Sequence, residues 1–369
     1  MGRLSPGTFV ARRLKPRTRS AGFVRYRRMP VPQAAKYEPY KKVGERPNII
    51  VDGAPLASTV LTLSHWPNNQ TDPSVRRDTS TATVFAYLDT PALHQDVPIV
   101  SNNHFDEDGL FSMFGVVNPS IALEFRDVLM GASLAGDFGL YDDPAATRLC
   151  FVVEFFCDPK TSPLPAETFK GCEDRRVEAL YREMLPRVPE LAENVDALEA
   201  YWRDQFEHLE RSEELIDSGR VTIDEYPDED LAVVHIPPDL PLRTVRRYLE
   251  AEQAAVHPFA IQNRTTCNRL LRITRQRYEL QYRYESWVQF ASRRPALRVA
   301  LDGLVNELNA IEQAPGEWRA EAANEVVPRL YLDGVDQSSL PPERFIEETR
   351  RQLATSPVAW DPWDWDSAD

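Results

Sequence analysis

The sequence is poor in cysteine and glycine. Its four cysteines, Cys150, Cys157, Cys172 and Cys267, form no Cys-x-x-Cys pair. That excludes a zinc ribbon and a disulfide-stapled secreted domain, and it points to a reducing, cytoplasmic compartment. Fifteen glycines beside thirty prolines exclude collagen-like and flexible low-complexity chains. No apolar run has the roughly 20 residues a membrane span needs. The basic N-terminal stretch lacks the apolar core of a secretory signal. There is no Gly-x-Ser-x-Gly elbow, no Walker loop, no His-Glu-x-x-His and no Gly-x-Gly-x-x-Gly opening a helix. Lysine is absent after Lys170 while arginine stays abundant, a pattern of GC-rich coding rather than of chemistry.

What is present suits a globular protein. The 369 residues suggest two domains, and 42% apolar residues are enough for a real core. The net charge of -14 is unevenly spread: residues 1–46 carry 13 Lys/Arg and 2 Asp/Glu, so the body is strongly acidic. An acidic body is a poor partner for long duplex DNA. The basic arm, residues 1–46, reads as disordered. As a solvated arm it would suit a nucleic acid or a membrane surface, whereas a chain starting at Met29 would lose most of its charge.

Asn48–Asp52 reads as the first ordered strand, ending in an acid and Gly53. Thr59–Leu63 is a second strand running into Ser64-His65-Trp66, and Val97–Ser101 a third. A helix opens at Asp78, its expected N-cap, and reaches Leu88. Further helices are expected from Leu110 and over Ser120–Ala135. Residues 174–218 read as charged helix broken at Pro186 and Pro189, stopped by Gly219. Beyond it, Val221–Tyr226, Leu231–Ile236 and the alternating Arg277–Glu285 read as strands, and Leu297–Ile311 as an amphipathic helix. The expected fold is α/β, a mostly parallel sheet with flanking helices, plus a second, smaller α+β domain. The boundaries are 47–165 for the first domain, 166–219 for a helical connector, 220–350 for the second domain and 351–369 for an acidic, Trp-rich tail.

The strongest chemical signal is His104-x-Asp106-x-Asp108-Gly109 after an apolar strand. In extended chain these three side chains point one way, at the strand end where open α/β sheets place their sites. Mixed oxygen and imidazole donors suit cations such as Mn²⁺. A calcium EF-hand loop beginning at His104 would put its terminal glutamate at Gly115, so that pattern fails. Asp52, His65, Asp78 and Asp137 each have an ordinary reading as turn, packed ring, cap or helix stop. Each also lies where a strand or helix ends, so one sheet edge could gather them.

Taken together the motifs resemble the DHH phosphoesterase superfamily. His104, Asp106, Asp108, Gly109 and Ser112 match its His-x-Asp-x-Asp-Gly motif, and Ile49-Ile50-Val51-Asp52 its strand-ending aspartate. Ser64-His65-Trp66 followed by Ser80-Thr81-Ala82 is similar to its Asp-His-His motif, and Ala135-Gly136-Asp137 to its fourth. The resemblance covers residues 48–140. The triplet keeps one histidine, the motif order is changed, and the glycine triplet of the usual C-terminal domain is absent. This leaves open one metal or two, different chemistry, or a site that binds without turnover.

The resemblance implies a metal-dependent phosphoric ester hydrolase using one or two Mn²⁺ or Mg²⁺ ions. The ions would be held by His104, Asp106, Asp108, Asp52, Asp137 and His65, with Asp78 and Asn103 supporting them. A water activated by the cation would attack phosphorus, with His65 and Asp106 as the catalytic side chains. The second domain would hold the substrate phosphate through His257, Arg264, Arg283 and Arg294, with His257 and Arg264 flanking a short apolar strand. The acidic body favours a small phosphorylated substrate: a nucleotide, a short oligonucleotide or a sugar phosphate. The alternatives are a DHH-like binding or regulatory protein without turnover, favoured by Ser64 and Trp66, and a partner-docking protein using its tails. Oligomeric state is not legible.

Overall fold

The computed structural model describes residues 31–247 and 250–364. The basic arm before residue 31 and the last five residues of the tail lie outside the described residues. Four short strands form the first sheet: β1 (Lys36–Tyr37), β2 (Asn48–Val51), β3 (Thr59–Leu63) and β4 (Ile99–Ser101). They lie in the order β1-β4-β2-β3, and every neighbouring pair is parallel. Ile50, Val51 and Val100 are fully buried, as a parallel sheet covered on both faces requires. The fold therefore starts before Asn48. Lys36 and Tyr37 pair with Ile99 and Val100 at the sheet edge, and two residues carry no periodicity by which to be found.

Several boundaries differ from the sequence expectation. The helix expected from Asp78 runs Ser80–Leu88 and is capped by Thr79, whose side chain accepts from the Ala82 amide. The stretch 120–135 divides into Pro119–Ala122 and Arg126–Phe138, the latter ending at Gly139 in the left-handed region (φ 63°). A helix over Pro144–Cys157 had no counterpart in the sequence reading. It is apolar nearly all round, so it shows no amphipathic period, although Asp143-Pro144 is a good start signal. The charged region forms helices Glu173–Met184, Val188–Glu193 and Glu199–Asp217. Val177, Leu180, Tyr181 and Leu209 from these helices enter the same core as Leu63, Phe111 and Phe151.

The second, smaller domain is built on a mixed six-stranded sheet. Its order is Glu317–Ala320, Arg329–Asp333, Arg277–Tyr282, Arg269–Thr274, β6 (Leu231–His235) and β5 (Thr222–Tyr226). Only the pair Arg269–Thr274 and β6 is parallel. Tyr278, Leu280 and Tyr282 are buried on one face, as the alternation predicted, but the strand stops at Tyr282 and a tight turn carries Tyr284–Ser286. The expected strand after His257 is instead a short helix, Pro258–Gln262, with the His257 ring accepting from the Phe259 amide. Proline at the first helical position favours that outcome. The helix expected over Leu297–Ile311 begins at Asp302, because Arg298–Val299 pairs with Val358–Trp360 from the tail.

Arg298 locks this end of the domain. It is fully buried, and its guanidinium donates to Ser286 Oγ and to the carbonyls of Arg283, Ala323, Glu325 and Val326. All five donors are matched, and burial lowers its pKa to about 9. Arg298→Lys would leave carbonyls unpaired, since an ammonium has three donors on a point charge. Loss of about 2–4 kcal/mol is expected in urea unfolding; a variant within about 0.5 kcal/mol of the parent would contradict this role.

Candidate metal centre

The carboxyl ends of β2, β3 and β4 meet at one place. Asp52 follows β2, Ser64 and His65 follow β3, and Asn102, Asn103 and His104 follow β4. Asp52 is buried and adopts a left-handed backbone (φ 45°), which aspartate tolerates better than most residues. Its amide donates to Leu63 O, and the next amide, of Gly53, donates to Ser64 Oγ. A side chain at Gly53 would collide with the amide oxygens of Asn102 and Asn103, which fold over this turn. Asn103 Oδ1 also accepts from the Ala54 amide at 3.0 Å, so Asn103 braces the turn that aims Asp52.

His104, Asp106 and Asp108 do not lie on one extended strand. Asp106 N-caps the helix Glu107–Val117: its Oδ1 accepts from the Gly109 amide at 2.7 Å. Asp108 therefore sits in the first helical turn and turns away from His104. It accepts from the Ser80 amide (2.6 Å) and the Thr81 amide (2.7 Å), the start of another helix. The three residues thus flank Asp52 from two sides.

The two oxygens of Asp52 serve different neighbours. Oδ1 is 3.4 Å from His65 Nε2, and Oδ2 is 3.2 Å from His104 Nε2. On the first side, His65 Nε2 is also 3.6 Å from Asp137 Oδ2 and 3.9 Å from Asp108 Oδ2. On the second, His104 Nε2 is 3.0 Å from Asp106 Oδ2. Asp52, His65 and Asp108 form one group whose donor atoms all lie within 4.8 Å of one another; Asp52, His104 and Asp106 form another. Ser80 Oγ donates to Asp52 Oδ1 at 2.8 Å.

Burying so many carboxylates together disturbs their acidity. Burial, then the charge of Asp52, raises Asp108 to about 7. Burial, followed by Asp108, Asp106 and Asp52, raises Asp137 well above the usual carboxyl range. Burial would raise Asp52 as well, but His104 and His65 outweigh it and bring Asp52 below its ordinary value. His104 is raised well above the usual imidazole: burial opposes its charge, but Asp106 and Asp52 prevail. Asp137 Oδ2 is buried with no hydrogen-bond partner. An orphaned carboxylate oxygen among oxygen and imidazole donors fits a divalent cation.

The expected phosphate-binding residues are not at this centre. Arg283 is buried against Glu285 and the carbonyls of Gln262 and Thr265. Arg264 pairs with Asp217 and Arg294 with Asp361. His257 packs against His208, Phe151 and Phe259. Asp78 is not a helix cap; its Oδ1 accepts from the Ala291 and Ser292 amides, and its carbonyl faces His65 Nδ1 at 2.6 Å. Ser64, in the place of an acid in the resembled motif, serves the backbone of Gly53 and Trp66. Sequence reasoning missed Tyr284 as a site residue. It is half-buried, and its hydroxyl lies 3.2 Å from His65 Nε2. Only its aromatic alternation with Tyr278 and Tyr282 was visible, and that signals core.

Fold and site together define an α/β protein with a buried Asp/His cluster at the carboxyl edge of a parallel sheet. Residues 33–363 match the model of a family of unknown function, DUF6687, and the chain belongs to that family. No curated protein and no solved structure matches it. Among the described residues, no helix is long and apolar enough to cross a membrane.

Proposed function

We propose that the protein is a metal-dependent phosphoesterase related in plan to the DHH superfamily, holding two Mn²⁺ or Mg²⁺ ions and hydrolysing a small phosphate ester. One observation carries the reading: Asp52 offers Oδ1 to the His65–Asp108–Asp137 side and Oδ2 to the His104–Asp106 side, the disposition of a bridging carboxylate. The ions would supply Lewis acidity at phosphorus and a water of lowered pKa. The chain's own residues hold and aim them. The amides of Ser80 and Thr81 fix Asp108, Gly109 fixes Asp106, and the Asp78 carbonyl fixes His65. Substrate would approach over His104 and Asp106, whose side chains are 17% and 22% exposed while Asp52, His65 and Asp108 are buried. That narrow access and the acidic body favour a nucleotide, short oligonucleotide or sugar phosphate over duplex DNA. Arg264, Arg283 and Arg294 already have acidic partners, so phosphate charge would be met chiefly by the ions.

Calorimetric titration with Mn²⁺ should give two equivalents per chain, and a panel of phosphomonoesters and phosphodiesters should show Mn²⁺-dependent hydrolysis. Asp106→Ala touches only the His104 side and should lose one equivalent with its activity. Wild-type protein that takes up no divalent ion would refute the reading. A binding protein without turnover is the second reading. It rests on Trp66, which stands in place of a histidine of the resembled motif and whose ring stacks on His104 at 4.8 Å. Two bound ions with no hydrolysis anywhere in the panel would favour it.

A further inference from the structure

Every polar atom of His65 is held. Its amide donates to Ser80 Oγ (3.3 Å), and its carbonyl accepts from the Gln289 amide (2.8 Å). Nδ1 lies 2.6 Å from the Asp78 carbonyl, and Nε2 lies 3.2 Å from the Tyr284 hydroxyl. A carbonyl can only accept, so Nδ1 carries the proton. To receive a cation Nε2 must offer its lone pair, and in that form Tyr284 donates to it.

Two of these grips come from one segment of the second domain, residues 284–292, and a third is fixed by it at one remove. Asp78 Oδ1 accepts from the Ala291 and Ser292 amides at 2.8 and 2.7 Å, which sets the carbonyl that holds Nδ1. Asn69 Nδ2 ties the Gln289 side chain to the same loop at 2.9 Å. Trp287 packs edge-on against Trp66, next to His65, at 5.2 Å.

We infer that the segment 284–292 controls cation binding through His65 in two opposed ways: Asp78 positions the ring for a cation, while the Tyr284 hydroxyl competes with that cation for Nε2. This rests on the two-ion reading above. The lone pair of Nε2 cannot serve a phenol and a cation together. Loading the centre therefore releases Tyr284 from His65 and alters one of the contacts that seat the second domain on the first. Asp78 acts only through His65 and is a positioning residue.

The two variants should move Mn²⁺ affinity in opposite directions. Tyr284→Phe removes the competitor and should tighten binding about 3- to 10-fold, the worth of one ordinary hydrogen bond. Asp78→Ala frees the carbonyl that fixes Nδ1 and should weaken binding about 10- to 100-fold. Asp78→Asn keeps an oxygen acceptor for both amides and should restore near-parental affinity. A merely structural role would lower the melting temperature of both variants and shift affinity in one direction or not at all; either result overturns the inference. If Asp78→Ala does not fold, Tyr284→Phe carries the test, since it removes one oxygen from a packed ring.

A measurement on metal-free protein separates this inference from the reading beneath it. The ¹⁵N imidazole spectrum, assigned with His65→Gln, should show His65 protonated at Nδ1, with an Nε2 resonance that moves in Tyr284→Phe. An unmoved resonance overturns the Tyr284 grip even if ions bind. Absence of Mn²⁺ uptake by the wild type overturns the two-ion reading, and the competition with it, even if the resonance moves.

Discussion

Asp52→Ala should strip the protein of both ions and of hydrolysis. Its carboxylate is the one group that belongs to both donor sets, with Oδ1 toward His65 and Oδ2 toward His104. Loss of a single preorganised charge at a transition state costs on the order of 10²–10³ in rate. Loss of two ions should exceed that and leave activity at background. The alanine also abandons the buried Ser80 Oγ–H and the half-buried His104, and breaking a buried ion pair from one side costs about 3–5 kcal/mol, an upper bound for this partly exposed pair. Asp52→Asn separates binding from folding. It keeps the shape and one oxygen for Ser80 but cannot offer an anionic oxygen to each side, so it should hold at most one ion. Metal content after gel filtration and calorimetric stoichiometry check both variants. Two equivalents retained in Asp52→Ala would dismiss the bridging role.

Asp137→Asn should have two effects of opposite sign. In chelator the variant should be the more stable protein. Asp137 is buried, Oδ2 has no hydrogen-bond partner, and Asp108, Asp106 and Asp52 all oppose its ionisation. Removing a crowded charge of this kind should gain about 1–3 kcal/mol. With Mn²⁺ the order should reverse. A partner that merely orients a ligand is worth about 10- to 100-fold in affinity, and Asp137 would be a ligand itself, so the loss should exceed about 100-fold. The wild type gains about 2.7 kcal/mol from an ion at 100 times its Kd, and the variant would forgo that gain at the first site. Melting curves of both proteins in chelator and in Mn²⁺ should therefore cross. A variant less stable than the parent in both conditions would remove Asp137 from the centre.

Such trade-offs are expected where a site is assembled against the preferences of its parts. The left-handed Asp52, the carboxylate crowding and the glycine demanded at position 53 all lie within one turn of the sheet edge. Each weakens the fold locally and each brings a donor atom to the same place.

The linear order of residues was enough to determine β3, which has the limits expected, and β2 and the last turn of β4 to within a residue or two. Apolar runs ending in an acid or a polar loop mark buried parallel strands and the edge at which they deliver their side chains. It also determined which carboxylates and imidazoles would be candidates, because His104, Asp106, Asp108, Asp52, Asp137 and His65 all follow or close such elements. What each group does was decided only in three dimensions. Asp106 and Asp108 fall on opposite sides of Asp52 because a helix begins between them, and Asp78 serves the second domain because Thr79 takes the cap. The arginines are drawn to nearby acids, and Tyr284 reaches His65 across 219 positions of chain. Local patterns report backbone periodicity and burial; pairing between distant side chains depends on how two domains pack, and no short window of sequence contains that packing.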